Sequence, residues 1–87
     1  MSMFLHTTQV QPLPGYRLRL WFNNGSQGEV SLRDQLWGEV FEPLRDEALF
    51  LSARHDDASG TVVWSNGADF APEFLLDLMQ QQNQRLA

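Results

Sequence analysis

Cysteine is absent from the 87-residue chain, which removes a disulfide framework, a thiolate zinc site and a thiol nucleophile together. Long apolar runs are missing as well, the longest strictly apolar one being Ala48 to Leu51, far too short to cross a bilayer. Met1 to Val10 lacks the basic start and apolar stretch of a signal peptide. The expectation is a soluble, cytoplasmic protein with no membrane association. Positive charge is scarce: six Lys and Arg face eleven acids, giving a net charge of -5 and a pI near 4.7. A global field of that sign repels polyanions, so nucleic acid is disfavoured and a small, basic protein partner is favoured. No Gly-rich loop precedes a helix to cradle phosphate, and no G-x-S-x-G elbow presents a nucleophile.

What remains is ordinary globular material, 43% hydrophobic and 20% charged, in a length that suits a single domain over residues 1–87. Phe4 to Val10 alternates weakly and reads as a strand ending at Gln11-Pro12-Leu13-Pro14-Gly15, since proline cannot donate a ladder hydrogen bond. Tyr16 to Phe22 alternates cleanly, with Tyr16, Leu18, Leu20 and Phe22 on one face and Arg17, Arg19 and Trp21 on the other. The turn after it can be chosen by matching faces. A two-residue Asn24-Gly25 loop would set Leu20 against Glu29 and Arg19 against Val30, which mixes charge into both faces. A three-residue loop, Asn23 to Gly25 with Gly25 left-handed, sets Leu18 against Val30, Tyr16 against Leu32 and Arg19 against Glu29. The three-residue hairpin is predicted.

Beyond Leu32 the pattern breaks. Gly38 and Pro43 forbid a long helix, so Arg33 to Leu51 is predicted to be short helical turns and loop, with Leu36, Trp37, Val40, Phe41 and Leu44 on its buried side. Ser52 to Asp56 and Thr61 to Trp64 read as a second strand pair; an Ala58-Ser59-Gly60 loop would place His55 opposite Val63 and Arg54 opposite Trp64. Asn66-Gly67 is a turn signal because both residues tolerate positive φ. Pro72 suits a first helical position and Glu73 complements the helix dipole. The helix should run from Pro72 to about Gln82, with Leu75 and Met79 on one side, and residues 80–87 read as a polar, frayed tail. The fold class expected is α+β: a small antiparallel sheet, short helical turns in the connection, and a C-terminal helix packed on the sheet.

Tyr16 to Gly25, then Pro43-Leu44-Arg45-Asp46 with Phe50, then Trp64, Asn66, Gly67, Asp69, Pro72 and Glu73 form a succession that resembles the bacterial domain of unknown function 2442. The resemblance spans about residues 4–76. It implies a compact α+β fold, no known activity, and members that stand alone or carry an added helix-turn-helix. It also implies relatives often encoded beside a second small uncharacterised protein, an arrangement that resembles a toxin–antitoxin or other paired module.

Three surfaces and a few ionisable groups are the functional candidates. Arg17, Arg19 and Trp21 form a basic, aromatic strip that could take single-stranded nucleic acid, a small ligand or an acidic protein; against this, Arg19 can pair with Glu29. Leu75, Met79 and Leu86 form an apolar helix stripe that either packs on the chain's own sheet or seeks a second copy, giving a homodimer. The block from Trp64 to Glu73 reads as structural: Trp64 as a core anchor, and Asp69 as a cap acting from further back, because Ala71 is a poor N-cap. Enzymatic use of Asp69 or His55 is the weakest reading. His55, Asp56 and Asp57 do not converge as metal ligands, since strand neighbours point to opposite faces. No metal, cofactor or catalytic residue is assigned. The leading expectation is a non-enzymatic interaction or regulatory module, antitoxin-like, acting by contact with a small protein partner.

Overall fold

The computed structural model describes residues 4–85. Strands β1 (Thr7–Leu13), β2 (Arg17–Phe22) and β3 (Gln27–Ser31) form an antiparallel meander in chain order. Two short 3-10 turns, at Arg33–Gln35 and Glu42–Arg45, and a one-turn helix α1 (Glu47–Phe50) lead to a hairpin of β4 (Arg54–Asp56) and β5 (Thr61–Val63). Helix α2 (Pro72–Arg85) closes the order. This is the α+β architecture expected, with one difference: the strands make two small sheets instead of one. They meet where the Thr7 N–H donates to the Gly60 carbonyl at 2.9 Å.

β2 is central because its alternation is cleanest. Leu18, Leu20 and Phe22 are buried on one face, and the predicted register holds, with Leu18 opposite Val30 and Arg19 opposite Glu29. The Phe22 N–H donates to the Ser26 carbonyl at 2.8 Å around the three-residue loop, in which Gly25 takes φ 89°. The Leu32 N–H carries the pairing one step on, to the Tyr16 carbonyl at 2.8 Å. β1 departs from expectation by running through Pro12, which sits opposite Leu18. As an outer strand of the meander it can turn the position lacking an N–H away from its partner. A register shift between Thr7 and Gln9 leaves Thr8 as a bulge.

The second hairpin is shifted by one residue from the predicted pairing: Arg54 lies opposite Val63 and His55 opposite Val62. The loop has four residues, Asp57 to Gly60, because the Asp56 carboxylate accepts from the Ser59 N–H (2.9 Å) and hydroxyl (2.7 Å) while the Gly60 N–H returns to the Asp56 carbonyl. Arg54 therefore does not face Trp64, whose ring lies in the core.

α2 covers the sheet with Leu75 and Met79, and Gly28 of β3 leaves room for the Met79 thioether, which would lie 3.2 Å from any Cβ there. The helix runs to Arg85, past the expected end near Gln82. Gln82 accepts from the Ser31 N–H at 2.8 Å and donates to the Ser31 carbonyl at 2.9 Å, so one side-chain amide serves the outer edge of β3 as a strand neighbour would. No helix among the described residues is long and apolar enough to cross a membrane.

The connection holds the largest correction. Leu36 and Leu44 are buried as expected, but Trp37 is 67% and Val40 48% exposed. A pair of short turns has no continuous inner face, so apolar residues at successive positions cannot all point inward.

The close seat of Gly60 yields a stability test. Its φ is +71°, and a methyl group there would come 2.8 Å from His6 Cβ. Gly60→Ala should lower unfolding free energy by about 1–3 kcal/mol, from backbone strain together with the clash, as read in urea denaturation; an unchanged midpoint would remove this contact from the account of how the two sheets join.

Candidate interaction groove

The groove begins from local chain geometry. Gly38 takes φ 90°, and the Glu42 N–H closes back on the Gly38 carbonyl at 2.8 Å. The Arg45 Nε donates to the Leu36 carbonyl at 2.7 Å, fixing one end of the loop. Asn66 fixes the other, donating from Nδ2 to the Val40 carbonyl at 3.0 Å while its Oδ1 accepts from the Ala68 N–H at 3.1 Å. The loop is thus held at both ends by side chains from elsewhere in the fold.

On this frame three phenylalanine rings line up. Phe41 stacks on Phe70 with centroids 4.5 Å apart, and Phe70 stacks on Phe74 at 5.6 Å. Trp64 meets Phe70 edge-on at 5.9 Å, which ties the row to the core. The open side is a shallow cavity of about 520 Å³, floored by Phe41, Phe70 and Phe74 and walled by Trp37 and Val40, with Glu39 and Asp69 at its rim. Both carboxylates belong to exposed residues, and among the described residues neither takes a hydrogen bond or ion pair. The site offers apolar area and negative charge. It contains no nucleophile, no histidine and no cationic side chain.

The other predicted site residues are placed as follows. Arg17, Arg19 and Trp21 share the outer face of β2, but Glu29 draws in both arginines: its carboxylate lies 2.8 Å from the Arg17 guanidinium and 3.6 Å from that of Arg19. Arg19 also sits over the Trp21 ring, 5.6 Å from its centroid. These are surface contacts, worth about 0–1 kcal/mol each, so the strip is tied but not locked. Leu75 and Met79 are core residues, 0% and 3% exposed, and cannot serve as a contact surface. Leu86 lies outside the described residues. Asp69 holds its corner through the backbone, bridging Val63, and not as a side-chain cap. Trp64 is buried, and its indole N–H donates to the Phe50 carbonyl at 2.9 Å.

His55 has partners the sequence did not reveal. Its Nδ1 lies 2.9 Å from the Thr7 hydroxyl and its Nε2 2.9 Å from the Asp57 carboxylate. A hydroxyl, an imidazole and a carboxylate in series are the parts of an activated nucleophile. Thr7 is buried, and its contact with His55 clamps β1 to β4. Asp56 is committed to Ser59, and among the described residues no group of three or more potential ligands could hold a metal.

Sequence reasoning missed the groove because Trp37 and Val40 read as core. The signal present was the crowding of aromatic residues on both sides of the family-like corner.

Comparison with known proteins places the fold. The profile of the family described as "Protein of unknown function (DUF2442)" matches residues 7–80. A crystal structure from Nitrosomonas europaea ATCC 19718, of a protein described as a candidate DNA-binding protein, superposes with a TM-score of 0.81 at 25% identity, over 97% of this chain. The chain spans 56% of that protein's length. No curated protein matches the chain.

Two predictions follow from the side-chain geometry. Trp37→Ala should change stability by no more than about 0.5 kcal/mol, as for an exposed position, while Phe70→Ala should cost about 3–5 kcal/mol; equal costs in thermal or urea unfolding would contradict the division between wall and floor. The Ser59 hydroxyl and N–H hold the Asp56 carboxyl below its ordinary pKa. A lowered folded pKa gives a contribution that is complete above the ordinary carboxylate value and is lost as pH falls through the folded one. The stability gap between the native chain and Asp56→Ala should therefore be full at neutral pH and close on acidification; a gap constant with pH would contradict it.

Proposed function

We propose that this chain, which belongs to the DUF2442 family, is a non-enzymatic interaction module that binds a small protein partner through the groove. The observation that carries the reading is Trp37, 67% exposed beside a floor of stacked rings. Tryptophan dominates the energetics of many interfaces because it combines a large apolar area with few rotatable bonds. Leaving it in water beside Val40 and Phe74 has no structural benefit for the isolated chain. The groove walls are also pre-positioned by Asn66 and Arg45, which reduces the ordering cost on association. Function on this reading is occlusion: the partner's own working surface is covered while it is bound, as an antitoxin-like component would do.

A second reading is nucleic-acid binding through Arg17, Arg19 and Trp21. The description of the Nitrosomonas protein supports it, and a stacking aromatic next to two cations is a suitable platform. Against it stand the net charge of -5 and the competition of Glu29 for both arginines.

The two separate by experiment. A photoreactive tryptophan analogue at position 37, which keeps the indole, should crosslink a small protein in extract of the source cell, and Val40→Asp with Phe74→Asp should abolish the crosslink while the chain remains folded. Salt-sensitive binding of a labelled single-stranded oligonucleotide, lost in Arg17→Ala with Arg19→Ala, would instead establish the second reading. A crosslink unaffected by the groove substitutions would remove the groove from the proposal.

A further inference from the structure

We infer that the occupant of the groove is a basic amphipathic helix displayed by the partner, a statement that rests on the groove being the binding surface. Charge gives the first argument. Glu39 and Asp69 stand on either wall of an apolar floor, both exposed and both without partners among the described residues, and no cationic side chain lines the groove. Within a chain of net charge -5, such a rim attracts Lys and Arg and rejects acidic or phosphate-bearing surfaces.

Backbone chemistry gives the second. An extended segment binds best by adding to a free strand edge, where main-chain hydrogen bonds supply the affinity. The groove is walled by the loop around Gly38 and by the start of α2, and none of its lining residues belongs to a named strand. A guest there must satisfy its own backbone groups, which a helix does.

Spacing gives the third. Successive rings along the floor stand 4.5 and 5.6 Å apart, close to the rise of about 5.4 Å per helical turn. Apolar side chains one turn apart, at i, i+3 or i+4, and i+7, can rest along the row of rings, with Lys or Arg on the flanks reaching Glu39 and Asp69 and with Trp37 closing over one side.

An unbiased peptide selection tests this. Peptides displayed on phage, about 16 residues long and of random sequence, are selected on the immobilised full chain and eluted with soluble native chain. Enriched peptides should combine helical apolar spacing with flanking Lys or Arg, gain helicity on binding by circular dichroism, and bind Trp37→Ala at least tenfold more weakly. Glu39→Gln with Asp69→Gln should weaken the same peptides about five- to twentyfold at low salt and flatten their salt dependence. Enrichment of groove-dependent peptides that are extended or not basic would overturn the helix assignment while leaving the groove as the binding surface. Enriched peptides indifferent to Trp37→Ala, or no enrichment, would overturn the helix assignment, and the groove reading itself is then decided separately by the position-37 crosslink.

Discussion

The hydrogen bond from the Trp64 indole to the Phe50 carbonyl is the contact on which the rest of the structure depends. Both partners are buried, and a buried indole N–H without an acceptor would cost about 1–3 kcal/mol. Satisfying it requires the end of α1 to stand beside the end of β5. Once that is done, Phe50 lies between Tyr16 and Trp64, and Trp64 meets Phe70, so aromatic contacts run unbroken from the first hairpin to the start of α2. The Thr61 hydroxyl closes the same unit by donating to the Phe70 carbonyl at 2.6 Å. Phe70 is therefore fixed from the core side before it serves as the middle ring of the groove floor.

That order explains how so small a chain keeps an open apolar surface without collapsing over it. Phe41 and Phe74 could fold inward only by displacing Phe70, and Phe70 is held by Trp64 and by its own backbone. The backbone that carries Trp37 is held by Arg45 at Leu36 and by Asn66 at Val40. The exposed area is a consequence of how the core is tied, which is the condition for a surface to be pre-organised and not merely unfilled.

The sequence makes legible those parts where one physical rule dominates. The β2–β3 register followed from requiring that charge not enter the inner face, and the α2 start followed from Pro72 and Glu73. Where two rules compete, reading fails. The β4–β5 register turned on whether Asp57 belongs to the strand or to the loop; the Asp56 carboxylate closes the turn with Ser59, which takes Asp57 into the loop, and one residue of shift results. Gln82 looked like part of a polar tail because a side-chain amide bonded to a strand edge leaves no periodic mark. Trp37 looked like core because hydrophobicity alone does not distinguish a residue that its own chain covers from one that its own chain leaves in water. The groove was thus written as apolar residues assigned to the wrong interior.

Affinity and selectivity at such a site come from different groups. The floor of rings supplies apolar area, which is non-directional and would accept many guests. The rim supplies a smaller, salt-dependent share, since exposed carboxylates remain well hydrated, and it also sets which guests approach quickly and which are repelled. The two arginines share the single Glu29 carboxylate on the outer face of β2 and do not line the groove, so the local charge at the rim is set by Glu39 and Asp69. If the β2 strip were the working surface, its charges would be expected to stand free and those of the rim to be paired. The observed arrangement is the reverse: the cations are engaged within the chain, and the carboxylates beside the exposed tryptophan are unpaired among the described residues.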